Sequence, residues 1–327
     1  MRTFPSRQVA AAIADMKHNV VMFDRFKTTF DRICEVIELY RETGVAENFL
    51  VLGASGCGKS TLCNLIQATY PSFSETEREV VPILYLEIPA LATISSLVEG
   101  LLGVLQDPAP GSGTITDKTN RLALLVKGCG VLTILLDEMQ HVHDRGQTLT
   151  ISRVADWIKS LTGCVGCPII LVGLPRTRAL LDANEQLRRR FSSTLVLERF
   201  ELRNKEETLE FAKTVKSFLS ASPFVSRLET TKADDLRSLY YASDGRVGYL
   251  VTLLIRALLM ADRETQPVLD RPLFERAFKA AIWKECPREC NPFSNAFEER
   301  RLNDFGEPFH ESVIIKGTSK ASRKIER

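Results

Sequence analysis

The stretch VLGASGCGKST, Val51 to Thr61, places Gly53, Gly56 and Gly58 close together and follows them at once with Lys59, Ser60 and Thr61. Glycine costs backbone entropy on folding, so such a cluster needs a backbone reason. One reason fits every position. The spacing is G-x-x-x-x-G-K-[ST], a loop whose amide N–H groups wrap a polyphosphate. Gly53 allows a tight exit from a strand, and Gly56 and Gly58 let the backbone approach the phosphates. Lys59 would reach the β- and γ-phosphates, and Ser60 would hold Mg²⁺. Ala54, Ser55, Cys57 and Thr61 complete the candidate binding loop. The helix that follows adds the positive end of its dipole.

The surroundings are those the motif demands. NFLVLG reads as a buried parallel strand and STLCNLIQATY has helical spacing. A second element matches it. In VLTILLDEMQHV, the apolar run Val131–Leu136 delivers Asp137 and Glu138 to the carboxyl end of a buried strand, where ligands bind in open α/β sheets. Asp137 would hold the Mg²⁺ shell and Glu138 would orient or polarise an attacking water. Two adjacent carboxylates repel unless a cation lies between them, so the pair makes most physical sense beside a metal-nucleotide.

Runs at VVPILYLEIP (Val80–Pro89), PIILVGLP (Pro168–Pro175) and STLVLERF (Ser193–Phe200) predict three more strands, alternating with helical spacing. That alternation predicts an α/β fold with a parallel sheet between helices. Phe26, Phe30, Ile33, Ile37 and Tyr40 mark a helix ending near Thr43-Gly44. Asp107–Asn120 has the composition of a loop. After Phe200 only helical spacing remains, opening on Asn204 with Glu207 as in a capping box. The expected organisation is an N-terminal arm (1–22), the nucleotide-binding domain (23–200), a small all-helical lid (201–285) and a C-terminal tail (286–327).

With 327 residues and a net charge of +2, any affinity for nucleic acid must come from a local basic surface. No window of about 18 apolar residues occurs, which predicts no membrane span, and a cytoplasmic place is expected. The eight cysteines are expected to be reduced thiols. Cys164/Cys167 and Cys286/Cys290 have spacings that a four-cysteine zinc site would also show, but they lie far apart in the chain.

Two further basic features stand out. NEQLRRRF brings Arg188, Arg189 and Arg190 just before the last strand. One of them, with Arg189 or Arg190 favoured, can serve a neighbouring subunit's γ-phosphate; the alternative is a solvated basic helix end. Arg246 in SDGRVGYL begins a lid helix and can fold back onto the phosphates. The alternative there is a surface arginine.

Together these residues resemble the AAA+ ATPases, and more narrowly the TniB/TnsC-type transposition regulators. DEMQHVHDRG, with Gln140-His141 behind the acidic pair, is the most telling segment, and the resemblance spans roughly residues 20–285. It implies a AAA+ P-loop NTPase that binds ATP and Mg²⁺ and hydrolyses ATP. It also implies self-assembly as a ring or filament on double-stranded DNA, and a link between a target-selection protein and the transposase. Leu174 departs from the family's pattern, in which a small polar residue senses the γ-phosphate; Arg176 or Thr177 is the expected substitute. Within that frame the candidate DNA contacts are Lys118, Thr119, Arg121, Arg145 and Arg153. The rival reading is a P-loop ATPase switch, signalling or chaperone-like, that acts on protein partners without DNA.

Overall fold

The apolar run after Asn48 is buried along its whole length because it lies between two parallel neighbours. A computed structural model of the chain describes residues 4–18, 20–90, 92–141 and 148–311. In chain order these begin with α1 (Arg7–His18), α2 (Asp24–Thr43), β1 (Phe49–Gly53) and α3 (Lys59–Thr69). A short hairpin, β2 (Phe73–Ser74) and β3 (Glu79–Val80), leads to β4 (Ile83–Glu87), α4 (Ile94–Val104), α5 (Ile115–Gly128) and β5 (Thr133–Asp137). Then come α6 (Thr148–Val165), β6 (Ile169–Gly173), the short α7 (Ala179–Asp182) and α8 (Glu185–Arg190), and β7 (Ser193–Leu197). The lid holds α9 (Lys205–Ser220), α10 (Ala233–Ser243), α11 (Val247–Ala261) and α12 (Arg271–Ala281), with a small parallel pair, β8 (Val225–Ser226) and β9 (Val268–Leu269).

The main sheet runs β4-β5-β6-β1-β7, all parallel. Side chains alternate across it, as strand geometry requires. Phe49, Val51, Leu135, Ile170 and Val172 pack toward α2, α3 and the lid. Leu50, Leu52, Ile134, Leu136 and Leu171 pack toward α4, α5 and α6. Both faces are apolar because both are covered, which is why the strands read as near-continuous hydrophobic runs.

The helix ends are set by local chemistry. Gly44 closes α2 at φ 71° and returns its N–H to the Tyr40 carbonyl at 2.8 Å. Asn204 caps α9 by accepting the Glu207 N–H at 2.9 Å. The Glu207 carboxylate does not complete the expected box; it takes Arg25 of α2 at 2.9 Å and so fastens the lid to the sheet domain.

Four expectations are corrected. Val80–Pro89 is not one strand, because Pro82 has no N–H for a ladder and separates β3 from β4. The loop after Asp107 ends at Thr114, which forms a reciprocal cap with Asp117 and starts α5. The N-terminal arm contains a helix: α1 buries Val9, Ala12 and Met16, and Ser6 bonds the Asp262 carboxylate with both its N–H and its hydroxyl at 2.7 Å. The tail as far as Glu311 folds back onto the lid, burying Cys286, Phe293, Leu302 and Phe309; residues 312–327 lie outside the described part.

The cysteines are unpaired, and burial pushes the Cys167 and Cys286 thiols up to about 12. Among the described residues no group of three or more His, Cys, Asp or Glu side chains is placed to hold a metal.

Phe23, Phe200, Phe211 and Tyr240 form a chain of rings, with centroids 4.8, 5.4 and 5.8 Å apart, that joins the two domains. Phe211→Ala is expected to cost about 3–5 kcal/mol, read as a lowered urea midpoint.

Candidate nucleotide site

The glycine loop connects the carboxyl end of β1 to α3. Gly56 and Gly58 take φ of 80° and 94°, left-handed values that a side chain would strain. Lys59 begins α3 and is only 5% exposed. Its ammonium donates to the Ala54 carbonyl at 3.2 Å and, among the described residues, reaches no carboxylate. A buried ammonium without a counter-ion is costly, and a bound polyanion removes that cost.

Asp137 ends β5 at 0% exposure. Its carboxylate accepts the Ser60 hydroxyl at 2.9 Å and the Glu138 N–H at 2.7 Å, with the Tyr85 hydroxyl at 3.5 Å. Burial raises its pKa above the usual carboxylate value. The Glu138 N–H and Ser60 oppose this, the Glu138 charge adds to it, and Lys59 opposes it. Ser60 and Asp137 thus present a hydroxyl and a carboxylate side by side, the hard oxygen donors that Mg²⁺ takes.

A cavity of about 410 Å³ opens beside the loop. One end is lined by Ser55, Gly56, Gly58, Lys59, Ser60 and Thr61, with Glu138 facing them. The rest of the lining is mostly apolar, from Met16, Val21, Phe23 and Phe26 on one side and Phe218 and Val251 of the lid on the other, with Lys17 beside Met16. A polar end with convergent donors and an apolar end fit a nucleotide's phosphates and its base respectively. The sequence reading missed the apolar end. Its signal is present, in the three-and-four spacing of Val9, Ile13 and Met16 and in the run Val20–Phe23.

The lid seals the loop directly. Gly248, at the start of α11, donates its N–H to the Gly56 carbonyl at 2.8 Å, and a Cβ there would stand 3.0 Å from the Gly56 Cα. Arg246, 3% exposed, lies behind the loop and does not line the cavity. It reaches the Ser55 carbonyl at 3.4 Å, the Asp244 carboxylate at 3.1 Å and Glu311 at 2.7 Å. Asp244 also accepts from Arg199 at 2.8 Å and from Arg301 at 2.8 and 2.9 Å. Cys57 is buried beside these groups, and burial raises its thiol pKa despite Arg246 and Lys59.

The arginine run of α8 lies at the amino-terminal edge of the sheet, just before β7, and so at the opposite edge from the chain's own glycine loop. Arg190 donates to the Lys159 carbonyl at 2.5 Å and to the Thr162 hydroxyl. Arg189 pairs with Glu185 at 2.7 Å. Arg188 is exposed and has no ion pair among the described residues.

Two of the expected DNA contacts are corrected. Lys118 is 4% exposed and its ammonium is bound to Glu99 at 2.6 Å and Ser95 at 3.1 Å. Thr119 is buried and bonds the Ile115 carbonyl. Neither side chain faces solvent, because both lie where α5 packs on its neighbours. Arg121 is partly exposed but fastens the preceding loop through Asp107 at 2.8 Å and the Ala109 and Ser112 carbonyls. Arg153 is exposed on α6, and Arg145 lies outside the described residues. Thr177, a suggested γ-phosphate sensor, is enclosed behind Gly173 and does not line the cavity.

A five-stranded parallel sheet, a glycine loop at the end of its inner strand, an acidic pair on a nearby strand and a helical lid define the AAA+ P-loop fold. Within that class the chain belongs to the bacterial TniB protein family, whose model matches residues 13–202. Among solved structures it is similar to Cdc6p from Pyrobaculum aerophilum at 10% identity, covering 84% of this chain and 73% of that one with a TM-score of 0.62. It is also similar to the Aeropyrum pernix ORC1 protein solved with DNA, at 14% identity, 83% and 68% coverage and a TM-score of 0.58. The ORC2 protein of the same organism, with ADPNP and ADP, gives 15%, 84%, 71% and 0.57. At these identities the likeness is one of fold. No curated protein matches the chain in sequence.

The raised Asp137 pKa has a consequence for stability. Between the ordinary and the raised value the folded chain holds a proton that the unfolded chain has lost, so stability falls as pH rises through that window. At neutral pH the buried charge is therefore a burden on the nucleotide-free, metal-free protein. Asp137→Asn is expected to raise its melting temperature at pH 7 and to lose that advantage below the ordinary carboxylate pKa. Scanning calorimetry in EDTA across pH checks this.

Proposed function

We propose that the chain is an ATP-dependent regulator of DNA transposition. It binds ATP with Mg²⁺ in the cavity between sheet and lid, assembles with copies of itself on duplex DNA, and links a target-selection protein to the transposase. One observation carries the nucleotide part: the enclosed Lys59 ammonium, which reaches no carboxylate among the described residues, lines one cavity with Ser60, and the Ser60 hydroxyl bonds the Asp137 carboxylate just behind it. Lys59 and the loop amides hold the phosphates, and Ser60 and Asp137 hold the metal. The metal supplies neutralisation of the charge that develops on the phosphates. Glu138 orients the attacking water and takes its proton.

The position of α8 favours a role in trans for Arg188, Arg189 or Arg190, because the run lies at the opposite edge of the sheet from the chain's own loop. ATP at a subunit boundary then joins subunits, and its hydrolysis releases them. Family membership supports the transposition setting. For the duplex, Arg153 is the described candidate contact, with Arg145 close by in sequence. No helix among the described residues is long and apolar enough to cross a membrane; a cytoplasmic setting is part of the proposal. A switch acting on protein partners is the second reading, favoured by the burial of Lys118 and the near-neutral net charge of +2.

Nucleotide binding and turnover, with and without duplex DNA, test both readings. Lys59→Ala is expected to abolish Mg²⁺-dependent ATP binding. Glu138→Gln is expected to keep binding and lose about 10²–10⁴-fold in kcat. Duplex DNA is expected to stimulate the wild type, with the effect fading steeply as salt rises. Full binding by Lys59→Ala overturns the site, and indifference to DNA at low salt leaves the protein-directed switch.

A further inference from the structure

Glu138 occupies an unusual backbone position. Its φ is 58°, in the left-handed region that a residue with a Cβ seldom adopts. Its own N–H is held by Asp137, and the Met139 N–H bonds the Val172 carbonyl of β6 at 3.1 Å. The chain therefore turns sharply after β5, and the Glu138 side chain points into the cavity mouth. A glutamate there has several staggered rotamers open to it unless something selects one.

Gln140 makes that selection. It is 2% exposed. Its Oε1 accepts the Leu174 N–H at 3.0 Å, just beyond β6. Because a backbone donor occupies Oε1, the orientation of the amide is fixed, and Nε2 donates to Glu138 Oε2. The side chain passes under Gly173, where a Cβ would come within 2.9 Å of Oε1. Thr177, one of the two suggested substitutes at this strand end, is fully enclosed, with no hydrogen-bond partner for its hydroxyl among the described residues. Leu174 offers only an apolar side chain toward solvent. His141 stands on the other flank, its Nδ1 on the Ile88 carbonyl at 2.6 Å and its Nε2 3.9 Å from Glu138 Oε2.

We propose that Gln140 is the positioning residue for hydrolysis: its amide ties the Glu138 carboxylate to the end of β6 and so fixes where the attacking water is held. The assignment rests on the reading of Glu138 as the water-orienting base. It gives the end of β6 a polar route to the site through a main-chain N–H and one amide, in place of a polar side chain at position 174. A shift of the β6–α7 connection then moves Glu138 directly.

Gln140→Glu is the sharpest variant. It keeps an acceptor for the Leu174 N–H, which preserves the folding contact, and replaces the donor to Glu138 with a like charge. Single-turnover and steady-state ATP hydrolysis by the full chain are expected to show kcat reduced on the order of a hundredfold, with KM for Mg·ATP changed by less than about threefold. Gln140→Leu, which removes the donor without adding charge, should behave alike, and its melting temperature separates loss of fold from loss of position. The decisive arm is the cycle with Glu138→Gln. In that background Gln140→Glu should change kcat by less than about threefold, because the residue acts through Glu138. Additive losses, or a KM effect without a kcat effect, overturn the assignment. So does an unchanged kcat in both variants while the wild type hydrolyses ATP. A wild-type chain that binds ATP and never hydrolyses it, with or without DNA, overturns the ATPase reading itself and this assignment with it.

Discussion

An ammonium lining the cleft and a carboxylate buried behind its Ser60 stand enclosed without an ion pair between them. Among the described residues the Lys59 ammonium bonds only the Ala54 carbonyl, and Asp137 is held by the Ser60 hydroxyl, a main-chain N–H and, more loosely, the Tyr85 hydroxyl. Neither arrangement neutralises a buried charge, and burying charge unpaired is among the most expensive things a fold can do. On the proposed function, the cleft takes partners from outside, an anion against the lysine and a cation against the aspartate. The parallel sheet brings these two groups to the carboxyl ends of β1 and β5, the strands on either side of β6, and the loop glycines let backbone amides crowd the same space.

The lid is joined to that cleft at main-chain level. The Gly248 N–H on the Gly56 carbonyl ties the start of α11 to the glycine loop, and the Phe200 N–H on the Gly245 carbonyl at 2.7 Å ties the preceding turn to the exit of β7. Asp244 gathers Arg199 from the sheet domain, Arg246 from the lid and Arg301 from the C-terminal segment onto one buried carboxylate. A change at the loop is thus felt at once by three parts of the chain. Glu311 occupies one edge of the Arg246 guanidinium, so the segment after α12 is packed onto the side chains behind the glycine loop and is not a separate appendage.

Much of this was legible in residue order, for physical reasons. The glycine loop and the acidic strand end are local signals, each carried by contiguous residues whose backbone demands are unusual. The inner strands β5, β6 and β1 are buried along their whole length and read as apolar runs, so they announce themselves. What was not legible depends on contacts between distant segments. The buried state of Lys118 follows from Glu99 across the α4–α5 interface, and a lysine in a polar stretch looks the same whether paired or free. The apolar part of the cavity draws α1 and α2 together with α9 and α11, and although α1 and Val20–Phe23 carry their own apolar signal, their meeting with the lid does not show in any short window. The C-terminal segment is polar and aperiodic, yet it folds because single residues such as Phe293 and Phe309 drop into the lid core. In the sequence Gln140 stands only as a neighbour of the acidic pair; its partner, the Leu174 N–H, is supplied by the sheet order.

The most direct measurement is a density map of the full chain with Mg²⁺ and a non-hydrolysable ATP analogue. The structure predicts a triphosphate against the amides of Gly56–Lys59, a metal held by Ser60 and Asp137, and the base between Met16 and Val251. A cleft that stays empty at saturating nucleotide, or a nucleotide bound elsewhere with Lys59 and Asp137 still solitary, would contradict it.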